Sequence, residues 1–588
     1  MTATPAPTAP WNRSEVILLG CLLALIWLLA RPGMTAPLLL DDHETLSHVS
    51  SFQSWRDALK PDCFGVFRPV KGLLFYHFHL HGIPPLPTIH SLVLGAYLLA
   101  TISIHCLFRH LLGCWRWGLL ASFLWATSAT QTSTAVWLSC INISVAILFA
   151  CPAILFHQRS WHRQTSRSLS LACVFLLLSL ASYETALCIA PACLLIDRFR
   201  GRNLLSKPAL ARYLALGTTT LAYLALRASS GAHHDAHATN VGFDPDMPAW
   251  QLVASAPWLL WRHFSMWLMP FGRIEFVSTY IWGLSAPLHE LAAAWGFLII
   301  LITTVFLTHK KAPLVSLGIA LFLVASFPTS NLIPLWVGPV EDYYLVFPSI
   351  GLAVALVGIA RKIITLRKAH RTSSAALTFS TSLLGSLLLW RMATMLLFWP
   401  QAKLWTDPIQ LFVRTMDSRP AQFNCKTLIA RELLLGGEYQ LSKELALESI
   451  REAPWQPSTH SVLGELAIQD GDDALALTHF EECLRRVETG NLHDFAKLRR
   501  AAILMKNPLQ RDNARTDLLE ILSRPASDFH YDATRVLTSL YLADTKPEKA
   551  LRTLERSLTL HPEKAADLHP VILNLKTTMR STNPTQDP

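Results

Sequence analysis

Eleven apolar runs constrain this chain more than any other feature. They lie near residues 15–31, 88–108, 117–133, 135–156, 168–183, 185–197, 210–228, 290–308, 313–328, 342–360 and 376–398, and each is long enough, or nearly so, to cross a bilayer as a helix. The first is read as an anchor and not as a cleaved leader, because a polytopic stretch follows it and "LLARPG" is a poor cleavage sequence. Composition agrees: 51% of the 588 residues are hydrophobic and only 16% charged, outside the usual range of a soluble enzyme. The apolar content stops near residue 400. The expectation is an all-α chain in two parts, a polytopic membrane domain over 1–400 with about eleven crossings and a charged helical domain over 401–588.

Basic loops give the orientation. "HQRSWHRQTSR" (157–167), "DRFRGRNLLSK" (197–207), "HKK" (309–311) and "RKIITLRKAHR" (361–371) share one side if there are eleven crossings, and an excess of Lys and Arg marks that side as cytoplasmic. The amino terminus is then cytoplasmic, while Asp41, Asp42, the 229–289 loop and everything after about residue 399 face outward. "APWLLWRHFSMWLMPF" (256–271) is also apolar, but making it a crossing would turn "HKK" outward, so it is read as an interfacial or re-entrant helix. The net charge of +10 is spread over these loops and forms no aromatic-studded groove, which argues against nucleic acid as a partner. Eleven cysteines, none in a CxxC pair, read as small core residues and not as a zinc or redox framework.

The carboxyl-terminal part repeats. Aligning 428–454 with 462–488 superposes Ala430 on Gly464 and Gly437 on Gly471 at a spacing of 34 residues, the tetratricopeptide period. A further unit, 535–562, carries Ala550, Leu554, Ser557 and Pro562 at the spacings of a tight helix pair. Such a solenoid presents a concave face that usually takes a peptide or protein, and the repeats alone name no ligand.

On the outward side several polar residues are costly near a membrane: Asp41, Asp42, Arg68, Lys71, His81, Glu184, Arg227, Glu341 and Asp342. Asp41 is well placed as a helix N-cap, with Glu44 completing a capping box. That explains one Asp and not its neighbour, since adjacent carboxylates repel unless a cation or a proton shares the site. "FRPVK" puts Arg68 and Lys71 in the same loop, which suits a phosphate group. Glu184 interrupts the apolar stretch "LLLSLASYETALCIAP".

These residues carry a resemblance. "FRPVKGLLFYHFHLHGIPPLPTIHSLVLGAYLLATISIHCLF" (67–108) and "FPTSNLIPLWVGPVEDYYLVFPSIGLAVAL" (327–356) resemble segments of the transmembrane and tetratricopeptide-repeat O-mannosyltransferase family. The order of parts is similar too: an early Asp-Asp loop, Glu184 between two crossings, Arg227 after a later one, then "RMATMLLFWPQAKLWTDPIQLF" leading into the repeats. Two places depart. Asp342 stands where the family has Arg, and Ala129, Thr130 and Thr134 stand where it has His-Pro and then Glu.

The resemblance implies a C-type glycosyltransferase fold and a hexosyltransferase activity. Such an enzyme moves a sugar, mannose in that family, from a polyprenyl phosphate in the outer leaflet to an extracytoplasmic acceptor. Asp41, Asp42 and Glu184 are the expected catalytic residues; Arg68, Lys71, His81 and Arg227 are expected to hold the donor phosphate, with Glu341 and Asp342 as further candidates. If a divalent ion takes part, the Asp pair and Glu184 offer hard oxygen ligands; the resemblance leaves that open. A protein Ser or Thr hydroxyl, a lipid or a surface glycan all remain open as acceptors. A non-catalytic scaffold with partner-binding repeats is the alternative from another class.

Overall fold

The computed structural model describes residues 10–39, 41–50, 52–161, 165–231, 249–270, 288–330, 332, 340–369, 375–416, 423–488, 490–524, 527, 529–560 and 564–582. Parts of the 157–167, 229–289, 327–356 and 361–371 stretches read above, and Pro562, lie outside them. The described residues are helical with irregular connections, and no strand occurs among them. The chain divides into two units, one of residues 1–43, 54–234 and 241–425, the other of 44–53, 235–240 and 426–588.

Where eleven crossings are expected, seven candidate spans occur among the described residues of the first unit. The helical stretches Arg13–Thr35, Leu86–Leu112, Leu138–Arg159, Lys207–Ser229, Leu288–Thr308, Pro348–Arg367 and Thr381–Leu404 are long and apolar enough to span a bilayer. The other four runs fall short for a local reason. The 117–133 run is broken: helix Trp115–Ala126 stops at Thr127, and two short turns take its place. The 185–197 run begins with the tight turn Glu184–Cys188, which leaves a helix of 11 residues. Ser166–Leu180 and Pro313–Thr329 are apolar but shorter than a full span.

Neighbouring helices pack closely where glycine allows it. A Cβ on Gly351 would stand 2.4 Å from the backbone nitrogen of Phe322, and one on Gly318 would stand 2.3 Å from that of Ala355. Helices Pro313–Ser326 and Pro348–Ala369 therefore run antiparallel, backbone against backbone. Gly351→Ala is expected to destabilise the unit by about 1–3 kcal/mol through overpacking. A detergent melting curve equal to that of the wild type would contradict this packing.

The ends of the bundle are chemically distinct. At one end Arg361 donates to the carbonyl of Leu112 (2.8 Å), Arg200 to that of His110 (3.3 Å) and to Gln158 (2.9 Å), and Arg109 to that of Pro10 (3.3 Å). Gly358 packs on Leu314 and Val315, which brings the 309–312 turn to that end as well. The basic loops thus gather in one place, as their shared sign anticipates. Buried Glu15 with His105 and Arg109 (3.0 and 3.1 Å), and buried Asp197 with His157 and Arg202 (2.8 and 2.7 Å), neutralise cations there.

Helix Ala249–Leu268 contains the apolar 256–271 segment and is not among the seven. Trp258 donates to Glu290 (3.3 Å), Phe264 packs on Phe297 and Phe322, and Arg391 donates to the carbonyl of Trp267 (3.1 Å). All these partners lie towards the end opposite the basic loops.

The second unit is a tetratricopeptide-like helical solenoid. Helices Phe423–Leu435, Pro457–Gln469 and Asn491–Leu504 start one 34-residue period apart, and each is followed by an antiparallel mate, Tyr439–Glu452, Asp473–Arg486 and Arg511–Leu522. The core passes from pair to pair: Ala430 and Ala446 pack with Val462 and Leu466, and Ala467 and Phe480 with Ala496. Gly464 is small because a Cβ there would meet the Phe480 ring at 2.7 Å. Ala550, Leu554 and Ser557 are buried in the pair His530–Ala543 and Pro547–Leu560, as their spacing anticipates. The Asn491–Arg511 pair escaped the sequence reading because the turn Pro508–Gln510 lengthens its connection and delays the second helix.

Candidate active site

At the end away from the basic loops, the first unit brings most of the expected site residues together, and it gives the adjacent aspartates different surroundings. Asp41 lies within helix Asp41–Ser50 and not ahead of it as an N-cap. The carboxylate that reaches back is Asp42. Its Oδ2 accepts from the Leu39 N–H (3.2 Å), and its Oδ1 accepts from the N–H and the hydroxyl of Ser139 (3.0 and 2.7 Å). Trp137 Nε1 donates to the carbonyl of Leu39 (3.3 Å), and the His90 ring lies 2.9 Å from the carbonyls of Ala36 and of Val136. Asp42 is therefore part of a seam joining the 36–42 segment to the 136–140 turn. Burial raises its carboxyl to about 7, against the Ser139 and Leu39 hydrogen bonds that lower it.

Asp41 is only partly buried and carries no such seam. Burial raises its carboxyl above the ordinary 3.8; Lys71 and Arg68 pull it down, and Asp62 pushes it up. Lys71 is buried beside Asp62 (4.0 Å), whose Oδ1 accepts from the N–H groups of Phe64 and Val66 (3.1 and 2.9 Å). Asp41 thus has two cations and one further carboxylate around it.

Arg68 is the N-cap residue of helix Pro69–His81. Its Nε donates to Glu184 Oε2 (2.9 Å) and its Nη2 to Oε1 (2.6 Å), a two-pronged pair, while its guanidinium lies 5.0 Å above the Tyr183 ring. Two contacts fix the loop that carries it: Val70 N–H donates to the carbonyl of Ala181 (3.1 Å), and Tyr223 OH donates to that of Phe67 (3.2 Å). Burial raises the Glu184 carboxyl, but Arg68 outweighs it and holds Glu184 at about 2; Arg227, in the last turn of Lys207–Ser229, adds to that pull. Glu184 is therefore an ionised partner of arginines.

Glu341 and Asp342 are buried, and Cys140 lies within electrostatic reach of both and of Asp41 and Asp42. Asp342 accepts a hydrogen bond from the Ser133 hydroxyl, and burial raises it to about 7. Ala129, Thr130 and Thr134 are buried next to that contact.

The structure does not bring His81 to this group. It is exposed at the opposite end of helix Pro69–His81, about 20 Å along the axis from Arg68, with its ring against His77. Among the described residues no three His, Cys, Asp or Glu side chains are grouped to hold a metal ion. The Asp pair and Glu184, the hard-oxygen set read from sequence, are separated by their own partners Ser139 and Arg68. Asp62, Ser133, Ser139 and Tyr183 escaped the sequence reading. The turn spelling "PDCFG" was a legible signal for Asp62, whereas Ser139 meets Asp42 across the fold and no local pattern announces it.

No family model and no curated protein matches the chain. Among solved structures, the crystal structure of the yeast Tom70 aligns with 82% of this chain and 96% of that chain at 12% identity with a TM-score of 0.26, a likeness that carries no argument.

Proposed function

We propose that this protein is a membrane glycosyltransferase that moves a sugar from a polyprenyl phosphate to an acceptor hydroxyl, with Asp41 as the base. The observation that carries the reading is the division of labour among the carboxylates. Asp42 is taken up by Ser139 and Leu39, Glu184, itself partly exposed, is taken up by Arg68, and partly open Asp41 stands beside the cations Lys71 and Arg68. In the proposed step the acceptor oxygen bonds to the anomeric carbon as the bond from that carbon to the phosphate oxygen breaks. The hydroxyl proton goes to Asp41, and the leaving phosphate keeps the bonding electrons. Arg68, Lys71 and Arg227 neutralise that charge, and Glu184 keeps Arg68 in place for it.

The departures from the family pattern meet in space. Asp342 stands where the family has a cation and contacts Ser133, adjacent to Thr134 where the family has a Glu.

The basic end is proposed to be cytoplasmic and the site end outward. The last candidate span ends at Leu404, next to Trp405, whose ring lies 5.7 Å from that of Trp137 beside the site, and the repeats that follow in sequence are proposed to be outside. There they are proposed to recruit the acceptor, a protein Ser or Thr hydroxyl being the acceptor that suits a peptide-binding solenoid. A reporter fused after Arg367 should be cytoplasmic, and one after Pro420 extracytoplasmic; a cytoplasmic repeat unit would sink the arrangement.

The catalytic reading is tested by the pH dependence of sugar transfer from a polyprenyl-phosphate donor. Activity should fall on the acid side with an apparent pKa above the ordinary 3.8 of an Asp. Lys71→Met removes a charge that lowers the Asp41 carboxyl, so the acid limb should move to higher pH. Asp62→Asn removes one that raises it, so the limb should move to lower pH. Limbs that stay put in both variants would remove Asp41 from the role of base.

A further inference from the structure

We infer, on the basis of the proposed function, that the partly open ring of Tyr343 seats the donor's sugar, on a side of the site that accepts a neutral hydroxylated group and turns a phosphate away. Every residue from Val340 to Ser349 is buried except Tyr343. The segment that carries it is fixed on several sides. Asp342 accepts from the Ser133 hydroxyl, Trp125 Nε1 donates to the carbonyl of Val346 (2.9 Å), and Gln131 Nε2 donates to the Ser349 hydroxyl (3.1 Å). Tyr344 stands edge-on to Tyr343, with ring centroids 4.9 Å apart, and is itself edge-on to His263 (5.9 Å). The open ring is thus held in one place before any ligand arrives.

Its neighbours decide what it can meet. The Tyr343 ring is 6.0 Å from that of Trp137, whose indole N–H is bound to the carbonyl of Leu39, two residues ahead of Asp41. Tyr183 is also within electrostatic reach of Tyr343, and the Arg68 guanidinium covers the Tyr183 ring at 5.0 Å. One set of contacts therefore leads from Tyr343 to the proposed base, and another leads to the arginine proposed to hold phosphate. The strongest charge acting on Tyr343 itself is the Glu341 carboxylate. A phosphate is repelled by that charge, whereas sugar hydroxyls are donors that a carboxylate favours. The negative face of an aromatic ring likewise attracts the partially positive C–H groups of a pyranose.

The test is equilibrium binding of radiolabelled polyprenyl phosphate, bare or carrying mannose or glucose, to the full chain in detergent. The wild type should hold one of the sugar-bearing lipids more tightly than the bare lipid. Tyr343→Leu should erase that preference, a loss of roughly tenfold, with the affinity for bare polyprenyl phosphate unchanged, and Tyr343→Phe should keep it. A preference that survives in Tyr343→Leu, or that the wild type lacks, would overturn the seat at Tyr343 while binding of the bare lipid leaves the proposed function standing. A wild type that binds none of the three lipids would sink both. If Tyr343→Leu does not fold, a donor with a diazirine on its hexose decides: crosslinks to the wild type should map to residues 341–344, and crosslinks confined to other segments would overturn the proposal.

Discussion

Glu184→Ala is expected to destabilise the first unit by up to about 3–5 kcal/mol, because it leaves the mostly buried Arg68 guanidinium without its counter-ion. Arg68→Met together with Glu184→Ala should recover part of that loss, since an apolar pair no longer demands compensation. The pH dependence has a definite sign. The folded value of Glu184 is about 2 against an ordinary 4.5, so the stability from this pair is fully present above about 4.5 and is lost as pH falls through about 2. Melting of the purified protein in detergent measures both effects. A Glu184→Ala protein as stable as the wild type, with the same acid sensitivity, would mean that the pair does not hold Arg68.

The parts of this molecule legible in its sequence are those written in local periodicity. The helix starts at Phe423, Pro457 and Asn491 keep the repeat length read from Ala430 and Gly464, and the basic loops gather at one end as their common sign anticipates. Span counting failed where an apolar run contains a turn. The 117–133 and 185–197 runs have the hydropathy of crossings, but Thr127–Ser128 and Thr185–Cys188 bend the backbone inside them. Hydropathy records which side chains avoid water, and a buried turn satisfies it as well as a helix does.

The candidate site was legible by residue type and not by role. Asp41, Asp42, Arg68, Lys71 and Glu184 were all picked out by the cost of charge near a membrane. Which aspartate is tied down depends on Ser139, distant in sequence, and Glu184 is engaged by an arginine equally distant. The capping reading went to the wrong residue of the pair for a related reason: Asp41 already lies within the helix, and it is Asp42 that reaches back to Leu39.

Asp41→Asn is expected to lower sugar transfer by roughly 10²- to 10⁴-fold, the range for loss of a general base, with little change in melting. Asp42→Asn should behave in the opposite way. Asn keeps an acceptor for Ser139 but faces the Leu39 N–H with a second donor, so it should lose about 1–3 kcal/mol of stability while the folded fraction still transfers sugar. The direct measurement is transfer from a purified polyprenyl-phosphate sugar donor by wild type and the two single Asn variants, each normalised to folded protein, with melting temperatures alongside. The proposal predicts a folded but inactive Asp41→Asn and an active, less stable Asp42→Asn. Full transfer by Asp41→Asn, or a stable Asp42→Asn that has lost it, would contradict the assignment of Asp41 as the base.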